Sequence, residues 1–168
     1  MPPVNAIEFF HYPWAESPTY PDHLVWGIRV DGRDLRELVG EATYPLWRAE
    51  LAGEFDDEAE DEKETAEQVR AQHDGLGVPE FEDHHFRTPG DTVPLLGCSC
   101  GIWGCWPLMA KVTLTPTTVT WSTFRQPYRE KEWGELALGP YEFPRDAYEA
   151  AVAAPPVLRE DPLPLPLP

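Results

Sequence analysis

Residues 108–124 read LMAKVTLTPTTVTWSTF, and the reading of this stretch decides the fold. Apolar and polar side chains alternate on both sides of Pro116-Thr117. A period of two is the mark of half-buried strands, and β-branched and aromatic residues suit the pleated surface. The stretch is therefore an antiparallel hairpin with Pro116-Thr117 at its tip. Ala110, Val112 and Leu114 share a face of the first strand, and Val119 and Trp121 share one of the second.

Upstream, residues 4–12 (VNAIEFFHY) and 24–31 (LVWGIRVD) are further strand candidates,. Asp31-Gly32 is a turn signal, and Asp34 then caps a helix with Glu37 at the capping-box position. Leu35, Leu38, Val39 and Ala42 form one apolar helical stripe. Pro45 is expected to kink or end this helix, leaving residues 46–51 for a second short one. Residues 73–97 read as irregular, because Gly and Pro recur every few positions. Downstream, residues 125–139 connect to a helix that opens near Pro144 and carries Ala147, Tyr148, Ala151 and Val152 at helical spacing. The expectation is one α+β domain over residues 1–154. It has a small antiparallel sheet, built from the N-terminal strands and the 108–124 hairpin, and two or three helices on one face. Residues 155–168 hold six Pro and are expected to be an extended, mobile tail.

The whole chain has 168 residues, 13 Lys and Arg, 30 Asp and Glu, and a net charge of −17. Such a balance disfavours nucleic acid and anionic membranes, since both demand Lys and Arg to displace counterions. No stretch of about 18 apolar residues occurs, so no membrane-spanning helix is expected. The N-terminus, MPPVNAIEFFHYPWAESP, lacks the basic start and apolar run of a signal peptide, and the expected compartment is the cytoplasm. Three Lys against ten Arg, with much Ala, Glu and Pro, fit a GC-rich bacterial genome. Residues 54–67 (EFDDEAEDEKETAE) carry nine acids and one Lys. They read as a solvated acidic loop or flexible helix inserted in the domain, and as a docking strip for a basic partner at the sharpest.

Chemistry concentrates in Gly97-Cys98-Ser99-Cys100-Gly101-Ile102-Trp103-Gly104-Cys105-Trp106-Pro107-Leu108, which holds all three cysteines. Glycines let such a loop bend tightly enough to gather three sulfurs. Three readings stay open. Cys98, Cys100 and Cys105 are three ligands of a zinc knuckle, with the fourth drawn from His84, His85, His73 or His11. Alternatively they are redox thiols, although no Cys-x-x-Cys is present. In the third reading they are small packed residues.

The run GCSCGIWGCWPLMAKVTLTPTTVTWSTFRQPYR, followed by GPYEFPRDAYEAAV, resembles a family of small uncharacterised bacterial proteins of actinobacterial type. The shared marks are a GCxCGxxGCWPL loop, a VTWxxFxQPxR hairpin strand and a terminal helix. The resemblance spans roughly residues 94–152, about a third of the chain. Some members carry the label oxidoreductase, which the resemblance extends to this chain as an expectation. The residues themselves offer no Gly-x-Gly-x-x-Gly turn for a dinucleotide.

Arg125 and Arg129, interleaved with aromatics in WSTFRQPYR, are candidates to clamp a partner carboxylate or other anion. No Gly-x-Ser-x-Gly or His-Glu-x-x-His marks a hydrolase. The expected function is a non-enzymatic, acidic, cytoplasmic protein-interaction domain with a structural cysteine-rich loop, zinc being the one cofactor it admits. Immunity and antitoxin-like proteins share this charge profile, and the implied partner is a basic protein. The alternative is a metal- or thiol-dependent enzyme centred on Cys98, Cys100 and Cys105.

Overall fold

A computed structural model of the chain describes residues 5–14, 23–55 and 57–163. The fold is α+β, with two antiparallel sheets in place of the single sheet expected. The first contains β1 (Ile7–Pro13), β2 (Leu24–Val30) and β3 (Arg33–Asp34). The second has the order β4 (His73–Asp74), β5 (Gly90–Cys98), β6 (Leu108–Leu114), β7 (Thr118–Arg125) and β8 (Tyr141–Pro144). Residues 76–78 tie the two sheets together, with Trp26 N–H donating to Leu76 O (2.8 Å) and Val78 N–H to Leu24 O (2.9 Å).

The hairpin forms with Pro116-Thr117 at its tip, closed by Thr115 N–H on Thr118 O at 2.9 Å. Val112 faces Trp121 and Leu114 faces Val119. The alternation slips once, at Thr123, whose φ is +51°. A β-branched residue rarely adopts that angle, and here it marks a bulge that turns Phe124 inward,.

Helix α1 (Leu35–Leu51) starts at Asp34, whose carboxylate accepts from Arg36 N–H at 2.9 Å. Glu37 does not close a capping box on this end; it lies 3.7 Å from Arg33. Contrary to expectation, α1 runs through Pro45 as one helix. The turns beyond the proline are held from outside, by Trp47 packed on Trp106 and Trp133 and by Arg48 reaching Asp61 at 3.7 Å. The acidic stretch also departs from a loop, since residues 58–70 form helix α2 (Glu58–Arg70). Asp57 caps it through Glu60 N–H at 2.8 Å, and Glu58, Glu60 and Asp61 fill the first turn, where the helix dipole favours carboxylates,. Asp61, Thr65 and Val69 turn one face inward, with Val69 against Gly40 of α1.

The stretch expected to be irregular contains β5, which bulges on either side of Pro94 and so tolerates its missing N–H,. A short helix α3 (Glu130–Trp133) interrupts the connection after β7. Helix α4 (Arg145–Ala153) packs Tyr148 and Val152 against β1, β7 and β8. The core gathers Phe9, Trp26, Phe86, Trp121, Phe143 and Tyr148, mostly edge to face, each contributing about 1.5–3 kcal/mol by its burial. The C-terminal segment is also corrected. Residues 155–163 are docked, with His11 N–H on Pro156 O (2.9 Å) and Leu158 N–H on His11 O (2.8 Å). Residues 164–168, the rest of the expected tail, lie outside the described residues. Among the described residues, no helix is long and apolar enough to cross a membrane.

Candidate functional site

Cys98 ends β5 opposite His73 of β4. Two glycines then set the path of the loop. A Cβ on Gly97 would lie 2.9 Å from the Cβ of Trp103. Gly101 has φ +94°, and a Cβ there would meet the Trp14 ring at 2.3 Å. The loop is thus seated between two indoles that no larger residue would let it approach. Gly101 N–H donates to Cys98 O (3.2 Å) and Cys105 N–H to Ile102 O (3.0 Å), so the chain doubles back on itself. Trp106 anchors the far side, its indole N–H on Gln72 Oε1 at 3.3 Å and its ring stacked on Tyr128, whose hydroxyl donates to Gly104 O at 2.8 Å.

This path brings the three sulfurs together. Cys100 N–H points at Cys98 Sγ and Ile102 N–H at Cys100 Sγ, each at 3.4 Å. All three thiols are free, with Cys98 half-buried and Cys100 and Cys105 exposed. Their proton affinities diverge. Burial pushes the Cys98 thiol up. Burial alone would raise Cys100 as well, but the Ile102 amide and the thiols of Cys98 and Cys105 outweigh it and hold Cys100 below its ordinary value. Cys105, hydrogen-bonded to Cys100, is raised. Cys100 is therefore the sulfur that ionises first, and its neighbours act as donors to it. The packed-residue reading does not survive for Cys100 and Cys105, because both face solvent. What packs is the backbone and the tryptophans.

The histidines take other duties. His73 is buried beneath the loop with Nδ1 3.2 Å from Gly97 O, and burial brings its pKa down to about 4 despite the backbone of Gly97 and Trp106. His85 Nε2 lies 2.8 Å from Pro94 O, and His84 sits beside Glu82 at 3.5 Å. Phe81 packs on both His85 and Trp103, which separates that histidine pair from the loop. His11 stands edge-on to Trp26 at 4.4 Å. His23 shares a cleft of only about 20 Å³ with Cys98, Asp74 and Glu80. Among the described residues, no group of three or more His, Cys, Asp and Glu is arranged to hold a metal ion.

Arg125 and Arg129 are not presented as a clamp. Arg129 donates to Glu50 at 2.9 Å and lies over Trp47, Trp106 and Trp133 at 5.2–5.9 Å. It braces the tryptophan that anchors the loop. Arg125 faces Glu130 at 3.9 Å. Sequence reasoning missed a second polar centre, where Arg36 is buried among Asp34, Asp74 and Asp161. No local pattern announces it, since Arg36 and Asp161 stand 125 positions apart. Comparisons of the chain with protein-family models, curated proteins and solved structures find no match.

Proposed function

We propose that the protein is a non-enzymatic interaction domain that meets its partner through the surface carrying the cysteine loop. One observation carries this reading: the three thiols converge at the surface, Cys100 and Cys105 exposed and Cys98 half-buried, on a loop fixed by tryptophans, and the cleft beside Cys98 measures only about 20 Å³. A small-molecule site is normally a cavity of about 300–1,000 Å³. A surface loop of fixed shape with soft donors is suited to contact and not to enclosing a substrate. Exposed carboxylates on α2, including Glu58, Glu60, Glu62 and Glu67, add to the −17 charge that would steer a basic protein partner,. Free thiols fit a reducing compartment such as the cytoplasm,, and the acidic charge fits an immunity or antitoxin-like role against a basic effector,.

A second reading, zinc or another soft metal on Cys98, Cys100 and Cys105, is favoured by the two amides aimed at sulfur, since N–H donors stabilise thiolate. The three sulfurs, not arranged around an ion as they stand, would have to close on the metal, and an outside ligand would have to complete the tetrahedron,. Turnover separates interaction from thiol enzymology. The chain is incubated with excess small-molecule disulfide and a reducing thiol. A single stoichiometric reaction is expected. Sustained turnover that Cys100→Ser abolishes would overturn the proposal. Elemental analysis of the purified chain decides the second reading, with one metal per chain and shielded thiols in its favour.

A further inference from the structure

Arg36 has five N–H groups, and all five are engaged. Nε and Nη2 fork onto Asp34 at 3.0 and 2.9 Å. Nη1 reaches Asp74 at 3.3 Å, and the Nη1/Nη2 edge forks onto Asp161 at 2.9 and 2.7 Å. The guanidinium also lies over the Tyr12 ring at 4.7 Å. The three carboxylates are not equivalent. Asp34 caps α1. Asp74 is built into the core, accepting from Tyr12 Oη at 3.2 Å and Trp14 Nε1 at 3.1 Å. Asp161 arrives from beyond the last helix, and its other bond is to Leu163 N–H, two residues along.

One cation cannot neutralise three carboxylates. Burial pushes the Asp74 carboxyl up, Arg36 draws it down, and Asp161 opposes Arg36. The third acid therefore sits among like charges, which weakens its hold relative to an isolated fork. Arg36 also lines a groove of about 630 Å³ between α1 and α2, whose walls are largely apolar (Gly40, Tyr44, Pro45, Val69 and Leu163) with Glu37, Glu41 and Arg70 among them. A charged fork at one end and apolar walls beyond it match a carboxylate followed by proline and leucine. Asp161-Pro162-Leu163 is such a sequence.

We propose that the Nη1/Nη2 edge of Arg36 and the adjoining α1–α2 groove form a peptide-binding site for a carboxylate–Pro–Leu segment, in which Asp161 holds the fork in cis with Leu163 lining the groove, and which a partner segment of the same chemistry enters by displacing them. The site is separate from the cysteine loop and does not depend on the function proposed for it. A planar fork recognises a carboxylate by two parallel hydrogen bonds, so an amide in its place gives up most of the attraction.

The test uses the full chain, with and without Asp161→Asn, and a fluorescent peptide spanning residues 159–168. Anisotropy is read at physiological salt, where charges beyond about 8 Å are screened. The Asp161→Asn chain, with its resident weakened, is expected to bind the peptide at least about tenfold more tightly than the unsubstituted chain. A peptide with Asn in place of Asp161 is expected to lose about tenfold in turn. No saturable binding to the Asp161→Asn chain, or equal binding of the two peptides, would overturn the proposal. So would loss of the folded circular dichroism spectrum in Asp161→Asn, since Asp161 would then be part of the fold and not a replaceable occupant.

Discussion

The cysteine loop and the Arg36 cluster both gather polar groups at one point, by opposite means. The loop draws its sulfurs from eight consecutive positions and leaves two of the three in water. The cluster draws on α1, β4 and the C-terminal segment, and buries its cation. In the first, aromatic packing fixes the backbone and the reactive atoms hold nothing up. In the second, the charged atoms are themselves the joint. Removing the cation from the cluster should therefore cost stability, and removing a sulfur from the loop should not.

Arg36→Ala gives the largest expected effect. It strands Asp34 and Asp74 without their cation, at a cost of about 3–5 kcal/mol in urea denaturation. A cost under about 1 kcal/mol would erase the contrast. His73 comes next, because it underlies the loop and belongs to its support. Its folded-state pKa of about 4 lies below the usual 6.5. The unfolded chain thus binds the extra proton first, and stability present above pH 6.5 is lost as pH falls towards 4. The loss amounts to about 3 kcal/mol by linkage and should vanish in His73→Gln, as measured by denaturation between pH 7 and 4.

Within the loop, Gly101→Ala drives a methyl into the Trp14 ring at a left-handed backbone angle. It should cost about 1–3 kcal/mol, whereas a Cβ on Gly104 meets nothing within 4 Å, so Gly104→Ala should leave the melting temperature almost unchanged. Equal effects at the two glycines would mean that the indoles do not shape the loop. Cys100→Ser is the smallest, within about 0.5 kcal/mol, as for an exposed side chain that supports nothing.

Legibility in the sequence follows the same division. The hairpin could be read because its alternation and its tip are local. The convergence of the sulfurs could be read for the same reason, through spacing and glycine. The acidic stretch could be read only as a loop or a flexible helix, because the repulsion along residues 54–67 is plain in the sequence while the inward face of Asp61, Thr65 and Val69 is polar at two of its three positions and leaves no apolar stripe to find. Strand β5 was hidden by Pro94, since its bulges come from the pairing with β6 and not from its own residues. Arg125 and Arg129 read as a candidate clamp in the sequence because Glu50, Trp47 and Trp133 approach Arg129 only through the tertiary fold. The Arg36 cluster lies furthest out of reach, since Arg36, Asp74 and Asp161 look like ordinary surface charges in their own segments.

The central claim is that Cys100 is held within hydrogen-bonding reach of both Cys98 and Cys105 before anything binds. Titration with a monosubstituted trivalent arsenical, which bonds stably only to thiols already close together, tests it most directly. One equivalent is expected to shield at least two of the three cysteines from alkylation in the native chain. Three cysteines that alkylate independently with the arsenical present would contradict it.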